Sequence, residues 1–237
     1  MRNVRLRLAG FFSLVIALSL ITAERTQWLP ATKNVNDELK STAVTDSSSI
    51  APATTQLYVL EPSQSKFTAH ALAGGLLWFK GHDHLVAIPD FSGEATLTPE
   101  TINPASLKIT AKAGSMVETS SVFTDQQKQI INKELREIVL LPDKYPDIFF
   151  QSSSVTGKAT GANQYELQIT GPLTLHGTTK TITIPTKVTT TSNQLRATGE
   201  FSISRDDFNV KATSAEHGLI QVKDRVKFTF DIVGHQR

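Results

Sequence analysis

The chain has 237 residues, of which 39% are hydrophobic and 19% are charged, and its formal net charge is +2. It contains no cysteine, which excludes disulfide bonds, thiolate metal ligands and a lipoprotein anchor on an N-terminal cysteine. Residues 1–23 hold three of the 24 basic residues and no acidic residue, so the remaining 21 basic and 22 acidic side chains give no electrostatic reason to expect binding to nucleic acid or to an anionic membrane surface.

The first 23 residues have the pattern of a targeting segment. Three arginines precede an apolar stretch from Leu8 to Ile21. This stretch is shorter than the roughly 20 residues that a membrane-spanning helix needs, and it fits the apolar region of a secretory signal peptide. Because the Ile-Thr-Ala sequence at 21–23 matches a cleavage site only weakly, an N-terminal membrane anchor is the alternative. We expect an extracytoplasmic, periplasmic protein that contacts a membrane only through its leader, if that leader is retained uncleaved.

Residues 24–56 are rich in Pro, Ser, Thr and Ala without a sustained hydrophobic period, which predicts a disordered linker. Residues 57–237 form the predicted domain. Apolar and polar residues alternate there in a series of short segments, the pattern of half-buried β-strands. In chain order these segments are 57–60, 66–72, 82–88, 91–97, 106–113, 148–155, the two arms of 165–188, 195–205 and 219–233.

The segment from Tyr165 to Val188 shows this alternation most clearly. Apolar residues occupy odd positions in its first arm and even positions in its second arm. His176-Gly177-Thr178 separates the arms and is a glycine-centred break of the kind that closes a β-hairpin. Each arm therefore has one apolar face that the rest of the chain must cover.

One segment, 124–139, follows a helical period instead. Ile131, Leu135, Ile138 and Val139 have the spacing of one helix face. Thr124 and the glutamine three residues later form a capping-box signal, and prolines at 142 and 146 end the helix.

About eight amphipathic strands and one helix predict a mainly β protein with an antiparallel sheet that closes into a barrel or sandwich. A parallel α/β fold is excluded because it needs a helix between successive strands. The interior of an eight-stranded barrel is filled by its own side chains or holds one small ligand.

Five short motifs, which occur in the same order as in the YceI-like family, give the chain a resemblance to that family. Its members are bacterial extracytoplasmic proteins with a lipocalin-like barrel. The five motifs cover nearly the whole of residues 57–237 and match the family's K-Y-P-x-I-x-F-x-S, G-x-L-T-x-H-G-x-T-K and R-x-D-F blocks, among others. The motifs are Ser65-Lys66-Phe67, Phe91-Ser92-Gly93, Lys144 to Ser152, Gly171 to Lys180 and Ser204 to Phe208.

The resemblance implies a lipocalin-like antiparallel barrel with one intercalated helix. It also implies a periplasmic protein that binds or carries a polyisoprenoid or another long-chain lipid, with no established catalytic residues and no cofactor. The chain departs from the family at Asn209, where a glycine is frequent, and at Gly81-His82-Asp83-His84, where many members have a plain hairpin. Asparagine tolerates the left-handed backbone that a glycine would adopt, so the turn at Asn209 is expected to persist.

The apolar faces of the strands supply the candidate ligand-binding residues. A long hydrocarbon chain gains about 0.8 kcal/mol for each buried methylene, so an apolar tube is sufficient to bind it. The alternative is a structural or stress-related envelope protein in which these side chains fill the barrel. The predicted lining residues are Phe67, Phe91, Phe150, Leu167, Ile169, Phe201, Ile203, Phe228 and Phe230.

His82 and His84 are the most distinctive polar pair. Residues two apart on a strand share a face and lie about 6.6 Å apart by rise, so two imidazoles there can hold zinc when a third ligand is present. The third ligand could be His70, His176 or His217. The alternatives are a pair of half-exposed histidines, or a polar rim that contacts a lipid head group.

Two further polar residues are expected to have structural roles. His176 stands at an even position, whereas its apolar neighbours Leu173 and Leu175 stand at odd positions. It is therefore expected to point away from the apolar face and to stabilise the hairpin turn. Arg205 shares parity with Phe201 and Ile203, so it lies inward in an ion pair or against a head group. Catalysis is not expected, because the chain lacks the nucleophile elbow of serine hydrolases, and no phosphate-binding lysine follows the two glycines at 74–75.

Overall fold

A computed structural model describes residues 54–237, apart from 212, 216 and 218. The predicted targeting segment at 1–23 and all but the last three residues of the predicted linker at 24–56 lie outside the described residues. Within the described ranges, no helix is both long and apolar enough to cross a membrane.

Strands make up more than half of the described residues, as the alternating pattern predicts. One α-helix, α1, spans Asp125–Glu134 and continues as a π-helical turn over Leu135–Leu140. Short 3₁₀ turns occur at Pro62–Gln64, Trp78–Lys80, Ala113–Ser115 and Asp206–Phe208. The strands are β1 (Gln56–Leu60), β2 (Lys66–Gly74), β3 (His84–Ala87), β4 (Phe91–Thr98), β5 (Ile102–Lys112), β6 (Val117–Glu118), β7 (Asp147–Gln151), β8 (Ser154–Gly161), β9 (Gln164–Leu175), β10 (Thr178–Thr190), β11 (Gln194–Ser204), β12 (Ser214–Ala215) and β13 (Ile220–Gln236).

Eight of these strands close into an antiparallel barrel. Their order is β1-β4-β5-β7-β9-β10-β11-β13, and the barrel closes because β13 pairs with β1. The long strand β13 also pairs with β2, which carries β3 and β6 on its other side. The predicted antiparallel barrel of about eight strands with one intercalated helix is confirmed.

The barrel has two ends. The turn end carries the tight turns at 162–163 and 191–193, together with the beginning of β1 and the end of β13, which are joined by backbone hydrogen bonds. The helix end carries the β9–β10 turn together with residues 205–211 and 213, and a hydrogen bond of 3.0 Å from Asn209 Nδ2 to Thr178 Oγ1 joins the two. Helix α1 also lies at this end, because its inner face borders one cavity together with Arg205, Val210, Lys211 and Thr213.

The hairpin between β9 and β10 forms as predicted. Leu175 pairs with Thr178, so the loop contains only His176 and Gly177. Both residues have positive φ, 51° and 74°, as a type I′ turn requires. The ring of Tyr145 packs over this turn, since a Cβ on Gly177 would lie 2.6 Å from it. Asn209 also adopts the expected left-handed backbone, with φ of 55°.

Helix α1 begins at the predicted capping box, because Thr124 and Gln127 hydrogen-bond reciprocally through side chain and backbone. The prediction that Ile138 lies on the apolar face of this helix is wrong, because its side chain is 43% exposed. The π-helical turn adds about one residue to the last turn. Val139 and Leu140 therefore follow Leu135 on the inner face, and Ile138 turns toward solvent.

The predicted strand at 148–155 is interrupted. β7 ends at Gln151 and β8 begins at Ser154. Between them, the backbone N–H of Ser152 donates to Leu107 O, and its hydroxyl accepts from the N–H of Leu107. The chain thus ends its pairing with β5 at this point and continues along β9 in another register.

Candidate ligand-binding interior

The barrel interior contains two apolar cavities that meet end to end. The turn-end cavity has about 1020 Å³ of empty space and the helix-end cavity about 1210 Å³, counting the space at their mouths. The residues that border both cavities are Phe67, Ala111, Ile148, Leu173 and Phe201.

The wall of the turn-end cavity is almost wholly apolar. Only Thr96, Ser106 and Thr186 interrupt it. The hydroxyls of Thr96 and Ser106 hydrogen-bond to each other at 2.8 Å, and Thr186 donates to Ile184 O at 3.2 Å. Because these groups are already partnered, nothing in this wall calls for a polar ligand atom.

A cluster of phenylalanines lies where the two cavities meet. The rings of Phe201 and Phe228 stack at 5.0 Å, and Phe67 lies 6.1 Å from Phe228. Phe230 approaches Phe201 at 6.5 Å. Several of these rings are only partly buried, because they face empty space.

The structure places eight of the nine predicted lining residues on a cavity wall. Phe150, Leu167, Ile169 and Phe230 border the turn-end cavity, Ile203 and Phe228 the helix-end cavity, and Phe67 and Phe201 both. Phe91 borders neither, because it is packed behind Phe67 with its ring edge-on at 6.2 Å and is 3% exposed. Whether these residues contact a ligand stays a prediction.

Arg205 lies at the wall of the helix-end cavity with a side chain only 13% exposed. Its guanidinium donates to the carbonyl oxygens of Val210, Lys223 and Val222, at 2.8, 3.3 and 3.5 Å. The carboxylate of Asp206 is more distant, at 3.7 Å, and largely exposed. Arg205 thus ties the chain after β11 to the start of β13, which favours the structural role.

His84 stands at the outer mouth of the helix-end cavity, where its Nδ1 lies 2.8 Å from Oε2 of Glu118. The Glu118 side chain is fully buried and also accepts hydrogen bonds from the N–H groups of Leu85 and Ser120. Burial alone would raise the pKa of the Glu118 carboxyl. The hydrogen bonds from His84 and the two N–H groups outweigh burial and hold this pKa below its ordinary value.

His82 does not lie on the strand that the sequence predicts, because β3 begins at His84. The carboxylate of Asp83 accepts a hydrogen bond from Ala73 N at 2.8 Å. This contact keeps His82 from pairing with β2 as part of strand β3. Both histidines contact the ring of Phe123, His84 by stacking at 5.1 Å and His82 edge-on at 5.8 Å.

His70, His176 and His217, the candidate third ligands, do not join them. Among the described residues, no group of three or more His, Cys, Asp or Glu side chains is disposed to hold a metal ion. His84 has Glu118 as its partner instead.

His176 lies against Tyr145, with ring centroids 4.3 Å apart. Its Nε2 is buried without a hydrogen-bond partner. Burial lowers the pKa of His176, and the nearby charges of Lys144 and Lys211 lower it further. A neutral imidazole that packs on tyrosine fits the predicted turn-stabilising role.

Sequence reasoning did not identify Glu118 or the helix residues as part of this site. Glu118 meets His84 across 34 positions of sequence, and no local pattern marks it. The inner face of the helix was recognisable as apolar, but its place on a cavity wall depends on the tertiary fold. The helix residues that border the helix-end cavity are Ile131, Glu134, Leu135, Val139 and Leu140.

Comparisons with known proteins agree with this geometry. Protein YceI of Shigella flexneri is 36% identical over 115 residues, which span 48% of this chain and 51% of that relative, about half its length. The crystal structure of Burkholderia cenocepacia BcnA superposes with a TM-score of 0.57 at 22% identity, covering 73% of this chain and 98% of that one.

A polyisoprenoid binding domain from Saccharophagus degradans, implicated in plant cell wall breakdown, has a TM-score of 0.53 at 12% identity over 79% of this chain and 100% of that one. At these identities the two solved structures establish the fold alone. The family model of the YceI-like domain matches residues 58–234, nearly the whole barrel. The chain belongs to the YceI-like family.

Proposed function

We propose that the barrel binds the hydrocarbon chain of one lipid-like molecule, such as an isoprenoid or a fatty-acyl chain, and catalyses no reaction. The observation that carries this proposal is the pair of apolar cavities that meet at Phe67 and Phe201. The Saccharophagus relative, described as a polyisoprenoid binding domain, supports the same class of ligand.

The energetics suit a chain rather than a compact polar ligand. Ten buried methylenes contribute about 8 kcal/mol, which corresponds to a dissociation constant near 1 μM. A polar ligand would have to give up its hydration in a turn-end cavity whose hydroxyls are already partnered. We therefore place the end of the tail in the turn-end cavity and any polar head toward His84 and Arg205.

The empty space favours this proposal over a barrel filled by its own side chains. A filled barrel would bring the inward residues of β9–β11 into contact across the interior, at the density of ordinary protein cores. We further propose that the protein acts outside the cytoplasm and carries its ligand between sites, in keeping with the apolar stretch at 8–21.

Displacement of a fluorescent fatty acid tests the proposal. Wild-type protein should take up the probe, and added farnesol should displace it. Ile169 and Ile184 are cross-strand partners on the turn-end wall. Replacing both with threonine is expected to weaken binding about tenfold or more, because two hydroxyls then enter the hydrocarbon site.

The matched control replaces Gln168 and Lys187, exposed neighbours on the outer face of the same two strands, with threonine and should bind the probe as the wild type does. If the wild type takes up no probe, or if the interior and exterior variants bind equally well, the proposed function is wrong.

A further inference from the structure

An exposed apolar cluster borders the helix end of the barrel. Leu76, Trp78 and Phe79 lie on the loop between β2 and β3 and are 76%, 60% and 64% exposed. The N–H of Leu77 donates to the carbonyl oxygen of Leu219, which ties this loop to a fourth apolar side chain that is 41% exposed. We call Leu76, Trp78, Phe79 and Leu219 the apolar rim.

The apolar rim adjoins the opening of the helix-end cavity. Gly81, at the end of the loop, is packed so closely that a Cβ there would lie 2.9 Å from Ile220 and 3.0 Å from Ala73. Both of these residues line a surface groove, which the exposed Ile130 also lines. The groove leads inward, since it shares a wall with the helix-end cavity; the shared residues are His84, Ile131, Glu134, Thr213 and Val222.

We propose that the apolar rim inserts into the interfacial layer of a lipid bilayer and holds the opening of the barrel against the membrane. This inference rests on the proposed function, because a cargo with a long hydrocarbon chain resides in a bilayer and must be taken up there. Large apolar side chains exposed together around an opening indicate an interaction site. Tryptophan in particular favours the boundary between lipid and water.

Charge does not drive this contact. The loop carries Lys80 and Asp83, and the adjacent start of β13 carries Lys223 and Asp224, so the two signs alternate beside the rim. Outside residues 1–23 the chain is near neutral. Docking should therefore depend on the apolar side chains and respond little to salt or to anionic lipid, unlike docking by a basic patch.

The absence of cysteine allows the contact to be measured at one position of the full chain. Phe79→Cys carries an environment-sensitive dye at the rim, and Asn193→Cys carries the same dye on an exposed turn at the opposite end. With phosphatidylcholine vesicles, the dye at 79 should shift to the blue and gain intensity, whereas the dye at 193 should not change. A targeting segment that binds vesicles by itself would not produce this difference between positions.

Two outcomes would overturn the proposal. One is a dye at 79 that does not respond to vesicles. The other is a dye at 79 that shifts with protein concentration and without vesicles, which would assign the rim to contact with a second copy of the chain.

A transfer assay separates this inference from the proposed function. Changing Leu76, Trp78 and Phe79 to serine should leave probe binding in solution unchanged. It should slow uptake of the probe from vesicles by about tenfold for each side chain that leaves the bilayer. Val59→Ser, which removes an apolar side chain 39% exposed on β1, should change neither rate nor affinity. Loss of binding in solution would count against the proposed function, and an unchanged rate of uptake would count against docking alone.

Discussion

Phe201 on β11 and Phe228 on β13 are direct cross-strand partners whose rings stack with centroids 5.0 Å apart and planes 9° apart. Phe201 borders both interior cavities, whereas Phe228 borders only the helix-end one. The stacked pair thus forms part of the wall where the cavities meet. If the barrel binds a hydrocarbon chain as proposed, this pair limits how far the chain can extend from the helix end.

Phe201→Ala is expected to widen this passage. The variant should bind geranylgeraniol more tightly relative to farnesol than the wild type does, because the longer chain can extend further into the turn-end cavity. It should also lose about 3 kcal/mol of unfolding free energy, the lower end of the range for removal of a buried phenylalanine. Phe149→Ala, on the outer face of β7 beside Lys108, is the control. An unchanged preference for chain length would contradict the assigned role of Phe201.

Filling each cavity separately should reveal where the chain lies. Ala197→Phe places a ring in the turn-end cavity and should weaken binding of long chains more than that of short ones. Ala71→Phe fills the helix-end cavity and should weaken binding of every chain length. Competition with the fluorescent fatty acid measures both effects, and Ala159→Phe on an exposed face of β8 is the control. Tight binding of long chains by both interior variants would place the ligand elsewhere.

Glu118→Gln should destabilise the fold in a pH-dependent way. At neutral pH we expect a loss of about 1.5–3 kcal/mol, the range for hydrogen bonds to a charged group. Since the folded-state pKa of Glu118 is lowered, the stabilisation is fully present above the ordinary value of 4.5 and is lost as the pH falls through the lowered pKa.

Denaturant unfolding of both proteins from neutral to acidic pH measures this difference, which should shrink below about pH 4.5. Glu166→Gln, at an exposed carboxylate 3.8 Å from Lys158, should change stability by less than about 1 kcal/mol. A gap between wild type and Glu118→Gln that is the same at every pH would refute the ionised Glu118 carboxylate as its source.

Arg205→Lys tests the anchor at the mouth of the helix-end cavity. Lysine keeps the charge but loses the planar fork that reaches several carbonyl oxygens. We expect a loss of about 1–3 kcal/mol of unfolding free energy and faster release of bound lipid. Arg196→Lys alters a more exposed pair with Asp231 and should cost less than about 1 kcal/mol. Equal losses at the two positions would argue against the anchor.

Much of the fold was predictable because its signals are local. The alternation along 165–188 places Leu167 and Ile184 on the inner face, and the positive φ of His176 and Gly177 follows from a two-residue hairpin loop. The capping box at Thr124 marks the start of the helix correctly. Each of these features depends on residues only a few positions apart.

Other features depend on distant contacts and escaped prediction. The π-helical turn that exposes Ile138 lets two later side chains reach the cavity, and spacing alone cannot show this. Phe91 has the parity of a lining residue, yet Phe67 stands between it and the cavity. The spacing of His82 and His84 left a metal site, a half-exposed pair and a polar rim open, and it could not show Glu118, 34 positions beyond His84, which is the partner that the fold supplies.

The most direct test of lipid binding is native mass spectrometry of the protein purified from its own cells without detergent exchange. We expect a population heavier than the protein alone by the mass of one lipid, which organic solvent extracts and which carries an isoprenoid or acyl chain. A homogeneous mass of the ligand-free protein under gentle conditions, together with no uptake of added isoprenoids or fatty acids, would contradict it.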